Sequence, residues 1–336
     1  MTNVLGRRRF LTMSAGAALA AGLGAARTPS RAAEVTNLTV GMSFHNLDAA
    51  PAWVAQDLRL FEKYGLNVTI TSFEGGAKVA VAALSSGRLP MAFIAAASVI
   101  NARAKGLPLE MIGGLIDKIP YDFVVAKDIT SPSQLKGGKG AISGFGGSSD
   151  FISRFALAKL GVDPREVTFL QVGNETARLA ALRSGQIQFT VLTAGLDLAA
   201  FDMGFKPMLR LYTLDQPYQH TGIGANATWA REHKDVVESF LKGLIAGSVY
   251  IKNPLNEAAV LALLRRHLRI NEIELKKGFE LYREQFYRSY PFVTGPGIEF
   301  ILRARKIDMP ATDFYDNSYV QALKDANFAA TVGRTS

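Results

Sequence analysis

Leu38-Thr39-Val40-Gly41-Met42, then Ala50 to Tyr64, then Val68-Thr69-Ile70 is the stretch that decides the fold. Its first segment alternates with the period of a strand, and Val68-Thr69-Ile70 resumes that pattern. Between them Trp53, Val54, Leu58, Leu60 and Phe61 supply the apolar positions of a helix that Gly65 ends. Strand, helix, strand is the unit of a parallel sheet with helices on its faces. The same alternation continues outward. Gly75-Gly76 opens a helix over Lys78 to Leu84, and Met91-Ala92-Phe93-Ile94 reads as a short buried strand. Ala97 to Lys105 is helical, and Leu109 to Leu115 and Phe123-Val124-Val125 are further strands.

The pattern restarts at Ser131-Pro132. Gly140-Ala141-Ile142-Ser143 is a strand, Gly144-Phe145-Gly146-Gly147 a loop, and Ser148 or Ser149 caps a helix running to Leu160. Val167 to Val172, Thr176 to Arg183 and Ile187 to Leu192 give strand, helix and strand again. From Thr228 the apolar residues Val236, Val237, Phe240, Leu241, Leu244, Ile245 and Val249 fall at helical spacing. These later helices need a sheet to cover, and the first is the natural one.

Composition narrows the chemistry. Among 336 residues there is no cysteine, which removes disulfides, thiolate nucleophiles and cysteine-based metal sites. Hydrophobic content of 48% is ample for a large core. The formal net charge is +9, but Arg7, Arg8, Arg9, Arg27 and Arg31 account for five of those charges and no acid lies among them. The remaining +4 is spread too thinly to predict a nucleic-acid partner. Gly6-Arg7-Arg8-Arg9-Phe10-Leu11, the uncharged run to Ala26 and the small residues Ser30, Ala32 and Ala33 resemble a twin-arginine export signal. Residues 1–32 are therefore expected to be a signal peptide and the remainder to be periplasmic.

Three later stretches carry a resemblance. Ala49-Ala50-Pro51-Ala52-Trp53-Val54-Ala55-Gln56 with Leu60-Phe61-Glu62-Lys63-Tyr64-Gly65-Leu66-Asn67-Val68 is the most specific. Leu135-Lys136-Gly137-Gly138-Lys139-Gly140 and Leu182-Arg183-Ser184-Gly185-Gln186-Ile187-Gln188 follow in order. Together they resemble periplasmic ABC-transporter solute-binding proteins of the nitrate/sulfonate/taurine and thiamine-precursor (NMT1/THI5-like) class. Arg59 stands where that class usually has glycine, and Gln188 replaces the usual acid. The resemblance implies an α/β fold of the two-lobed periplasmic binding protein kind (type II). Each lobe is then a largely parallel sheet flanked by helices, with the ligand cleft between lobes. It places lobe one at residues 33–127 plus 222–336 and lobe two at 128–221, with crossings near Ala126-Lys127-Asp128 and His220-Thr221-Gly222. It implies a monomeric receptor for a small solute, served by ABC importer membrane subunits. The solute classes in view are sulfonates, nitrate-like anions, pyrimidine precursors and aromatic carboxylates. The alternatives are a pyrimidine-precursor synthase on the same fold and a ligand-sensing subunit of a signalling system. The first lacks the cysteine-rich iron site of those enzymes.

Ligands in open α/β sheets sit at the carboxyl ends of the strands. Those ends nominate Phe44, His45 and Asn46, then Gly75 and Gly76, then Ala96. In the second unit they nominate Ser143, Gly146, Gly147, Ser148 and Ser149, then Asn174 and Thr193. The Ser143–Ser149 stretch is the strongest, because glycines and a helix start could present N–H groups to an anion. Helix capping is the competing role for Ser148, Ser149 and Asn174, and strand-end packing for Thr193. No catalytic residue, metal site or cofactor is nominated. Gly222, Gly224 and Ala227 match a dinucleotide fingerprint in letters alone, since Pro217 interrupts the preceding segment. His45, His220, His233 and His267 are scattered, without metal-ligand spacing.

Overall fold

The computed structural model describes residues 35–73, 76–268 and 270–333. The proposed signal at 1–32 and the candidate Gly75 lie outside those residues. Ten strands run in chain order: β1 Thr36–Met42, β2 Leu66–Ser72, β3 Met91–Ala95, β4 Leu109–Ile116, β5 Tyr121–Val125, β6 Lys139–Ile142, β7 Thr168–Gln171, β8 Phe189–Thr193, β9 Lys206–Arg210 and β10 Thr221–Asn226. They form two sheets of five, ordered β2-β1-β3-β10-β4 and β7-β6-β8-β5-β9. Both sheets have the same plan. Four strands run in one direction, and the fifth, β10 or β5, runs antiparallel to them, inserted next to the edge strand.

This exchange corrects one expectation. The expected strand Phe123-Val124-Val125 falls in lobe one by the expected bounds, yet β5 lies in the second sheet, where Phe123 pairs with Val191 and Leu209. The first crossing is therefore residues 117–120 rather than 126–128. The second lies between β9 and β10 and ends at His220, close to the expected place. A strand buried along its whole length looks the same in either sheet, so periodicity could not assign it.

One face of the first sheet carries the largest core. Trp53 and Val54 of helix Ala50–Asp57, Phe240, Leu241, Leu244 and Ile245 of helix Lys234–Lys252, and Leu275 and Phe279 of helix Glu272–Gln285 meet there. Gly247 lets the long helix lie against Pro51 and Ala55; a methyl group at Gly247 would overlap the Pro51 carbonyl oxygen. Arg59, the residue in the glycine position of the resemblance, adopts φ 55 just beyond helix Ala50–Asp57. Its Nε pairs with Glu62 at 2.7 Å, which holds the left-handed turn at a site where glycine would be unstrained.

The other face of the first sheet shares a core with the second. Val99 and Ile100 of helix Ala96–Arg103, Tyr121 and Phe123 of β5, and Phe151 and Ile152 of helix Ser148–Lys159 belong to it. Ile298 and Ile301 of helix Gly295–Arg305 join them, so that late helix covers both sheets and not the first alone. A third, smaller core lies outside the second sheet, beneath helices Glu175–Arg183 and Leu196–Asp202. The loops at the carboxyl ends of β1 and β8 then meet one another.

Candidate functional site

The loop after β1 reaches the second sheet through Asn46. Its Oδ1 accepts the Asp48 N–H at 3.2 Å and so caps a short turn, Leu47–Ala49. That fixes the amide so that Nδ2 points to Glu175 Oε1 at 3.3 Å and to Thr193 Oγ1 at 3.5 Å. Glu175 opens a helix capped by Asn174, whose Oδ1 accepts from Ala177 N at 2.9 Å. The Thr193 hydroxyl and backbone N–H both donate to Glu175 Oε2, at 2.7 and 3.1 Å. Asn46, Glu175 and Thr193 thus form one hydrogen-bonded bridge between the loops of the two sheets.

A second bridge lies deeper. Asp48 is fully buried and accepts from Tyr282 Oη at 2.7 Å and Thr221 Oγ1 at 3.1 Å. His220 Nε2 lies 3.1 Å from Asp48 Oδ2, and His220 Nδ1 lies 2.9 Å from Ser148 Oγ. Ser148 Oγ is also 2.7 Å from Tyr218 Oη. Tyr218, Ser148, His220 and Asp48 thus form one continuous hydrogen-bonded chain through the two ring nitrogens of His220. Burial raises the Tyr121, Tyr218, Tyr282 and Tyr287 hydroxyls above the ordinary tyrosine range, so all four are neutral donors. The backbone locks the same point, with His220 N bonded to the Ile116 carbonyl and Ala96 N to the His220 carbonyl, each at 2.9 Å.

The glycine-rich loop is tied to itself and its surroundings. Ser149 Oγ accepts the Ser143 N–H at 2.8 Å and lies 2.8 Å from Ser143 Oγ. Gly146, at φ 79, donates to Asp150 Oδ2 at 2.9 Å, and its carbonyl accepts from Arg305 Nη2 at 2.9 Å. Gly147 N bonds to the Gly144 carbonyl at 3.2 Å. The Ser143 and Ser149 hydroxyls and three loop amides, of Ser143, Gly146 and Gly147, therefore already have partners within the protein.

Of the sequence candidates, Asn46 and Thr193 share one bridge, while Ser148 and Ala96 meet at His220. Ser143, Gly146, Gly147 and Ser149 build the adjoining loop, and Asn174 caps the Glu175 helix. Gly76 begins a helix at φ 58, beside the Ser43 carbonyl. Phe44 packs against the core, and His45 is exposed at the rim, its ring 4.9 Å from Trp53 and its Nε2 2.6 Å from the His267 carbonyl. The sequence reading missed Asp48, Tyr121, Glu175 and Tyr218, and passed over His220. Asp48 had one signal, a lone acid inside an apolar run that the fold must bury. Among the described residues no group of three or more His, Asp or Glu side chains could hold a metal ion. None of their helices is long and apolar enough to cross a membrane.

Two like-built α/β units whose strand-end loops meet at a polar junction define the two-lobed binding-protein class. A family profile described as NMT1/THI5 like matches residues 46–258, and the chain belongs to that family. Comparison with curated proteins gives no match. Among solved structures, a protein of Bordetella bronchiseptica RB50 superposes with TM-score 0.76 at 18% identity, covering 88% of this chain and 98% of that one. The alkanesulfonate-binding protein SsuA from Xanthomonas axonopodis pv. citri, bound to MOPS, gives 0.69 at 18%, covering 87% and 98%. The periplasmic nitrate-binding protein NrtA from Synechocystis PCC 6803 gives 0.67 at 15%, covering 90% and 89%. Likeness at such identities carries the architecture and leaves the ligand open.

Proposed function

We propose that this chain is an exported receptor that captures a small organic solute between its two lobes and delivers it to an ABC importer. The observation that carries this reading is the Asn46–Glu175–Thr193 bridge, which joins the strand-end loops of the two sheets through half-buried Asn46 and Glu175 and buried Thr193. The lobes would be residues 35–116 with 221–333, and 121–210, hinged at 117–120 and 211–220. The amino-terminal twin-arginine segment would supply export to the periplasm, and the importer's membrane subunits would be the partner.

Ser148, His220 and Asp48 stand in the order of an acyl-transfer triad, which favours a hydrolytic reading. Burial and bonding weigh against it. Ser148 is only 7% exposed, and its oxygen is already engaged by Tyr218 as well as His220. The chain of bonds instead ties the second crossing to both sheets.

The test is a thermal-melt screen of the refolded protein against sulfonates, pyrimidines, carboxylates and amines, with each hit assayed for turnover. A receptor shows a rise in melting temperature that grows with ligand concentration, and the ligand is recovered unchanged. Conversion of the hit to a product would replace the receptor reading with an enzymatic one.

A further inference from the structure

Backbone of the second lobe enters the core of the first just after β8. Ala194 is 6% exposed and packs into the core of the first sheet. Gly195 follows at φ 101 and ψ −58, a conformation open to glycine and strained for other residues. Asp197 pins that turn. Its Oδ1 accepts from Gly195 N at 2.9 Å and from Leu198 N at 2.6 Å.

Opposite this turn, helix Glu272–Gln285 of the first lobe presents a second glycine. A methyl group at Gly278 would lie 3.0 Å from Gly195 Cα, 3.1 Å from Gly195 N and 3.0 Å from Leu47 Cδ1. Ordinary contacts between carbon atoms are about 3.5–4.0 Å. Two of those three atoms are backbone in a pinned turn, so they cannot swing aside as the end of a side chain would. Glycine inside a helix also weakens it relative to alanine. The helix carries that weakness at the turn that meets the other lobe.

The contact lies close to both crossings. Thr193, just before Ala194, pairs with Tyr121, which directly follows the crossing at 117–120. His220 ends the second crossing, and its Nε2 lies 3.1 Å from Asp48, the residue after Leu47. Two covalent crossings and one packed contact give three points between the lobes, and three points fix an angle.

We propose that Gly195 and Gly278 form the fulcrum on which the two lobes turn, and that the bare backbone there sets the angle at which the cleft shuts. The proposal rests on the receptor reading and names the residues that position its lobes. A side chain at 278 acts as a wedge beside the crossings, and its effect grows toward the outer ends of the lobes.

The chain has no cysteine, so one introduced on each lobe can be spin-labelled cleanly. Leu255→Cys in the first lobe and Gln186→Cys in the second stand at exposed positions. Double electron–electron resonance then measures the distance between the labels, alone and with Gly278→Ala, Gly278→Val or Gly278→Leu added. The distances should lengthen in step with the side chain, and the ratio of closed to open populations should fall at least about fivefold in Gly278→Leu, as overpacking of a close contact implies. Lys277→Leu, exposed on the same helix, should leave the distances unchanged. Distances that ignore the size of residue 278 in folded variants overturn the proposal, as does an equal shift in Lys277→Leu. Loss of the circular-dichroism signal in the larger variants also overturns it, because Gly278 would then be a core position of the first lobe. None of these results touches the receptor reading, which the melt screen decides on the wild type.

Discussion

Replacing Asp48 with alanine should be among the most damaging single changes in the protein. Its carboxylate is the common acceptor for Tyr282 Oη, Thr221 Oγ1 and His220 Nε2, all in a site closed to solvent. Alanine leaves three buried donors without an acceptor. Each unpaired donor costs about 1–3 kcal/mol. Relaxation and entering water recover part of that, so a net loss of about 3–5 kcal/mol follows, the range seen when one member of a buried pair is removed. Urea unfolding followed by circular dichroism measures it as a shift in midpoint at constant slope. Tyr282→Phe, which deletes one donor with the ring intact, should cost about 1–2 kcal/mol. The double variant should lose less than the sum of the two, because in the Asp48→Ala background Tyr282 has already lost its acceptor. A loss below about 1 kcal/mol for Asp48→Ala, against the cost reckoned for three stranded donors, or strict additivity with Tyr282→Phe, would refute the buried-network account.

Other consequences follow from burial and packing. Asp122 and Asp197 are buried close together; burial is the first cause raising both carboxyls, to about 6 and about 8, and the Asp122 charge pushes Asp197 up further. Groups whose folded pKa is raised hold protons that the unfolded chain releases above about pH 4, so stability should fall as pH rises from about 4 to about 8. Asp197→Asn should flatten that dependence in urea titrations at a series of pH values, and an unchanged slope would contradict it. Arg178→Met removes a buried guanidinium with three protein acceptors and should destabilise by about 3 kcal/mol, read by the same unfolding assay. Gly247→Ala improves helix propensity by about 1 kcal/mol but overpacks the Pro51 contact, for a net loss of about 1–2 kcal/mol in thermal melts.

What could be read from the sequence depended on how local the information was. The strand–helix–strand unit over residues 38–70 was legible because its periodicity is contained within it, and β1, helix Ala50–Asp57 and β2 are in place. Helix Ser148–Lys159 was legible from Gly161, which takes φ 76 as a helix stop requires, but the expected serine cap is corrected: Gly147 is the N-cap, without a side-chain bond, and Ser148 and Ser149 lie inside the helix. Phe123-Val124-Val125 was misplaced because its partners, β8 and β9, lie far along the chain, and long-range pairing leaves no local mark. The site divides the same way. Asn46 and Thr193 could be nominated as strand-end residues, but their partner Glu175 looked like an ordinary first-turn acid of a capped helix. Ser148 was nominated as a donor to solute, whereas its hydroxyl is spent on His220 and Tyr218, residues from a crossing whose path is set only by tertiary structure.

Native mass spectrometry of the protein, purified without unfolding and again after refolding, tests the central claim most directly. The account predicts one small non-covalent adduct per chain that disappears on refolding. It also predicts that the adduct is missing from a Thr193→Trp variant, whose indole would fill the junction between the lobes. An adduct retained at full occupancy in Thr193→Trp would place the ligand elsewhere. A chain that carries no adduct and binds none on titration would contradict the receptor account.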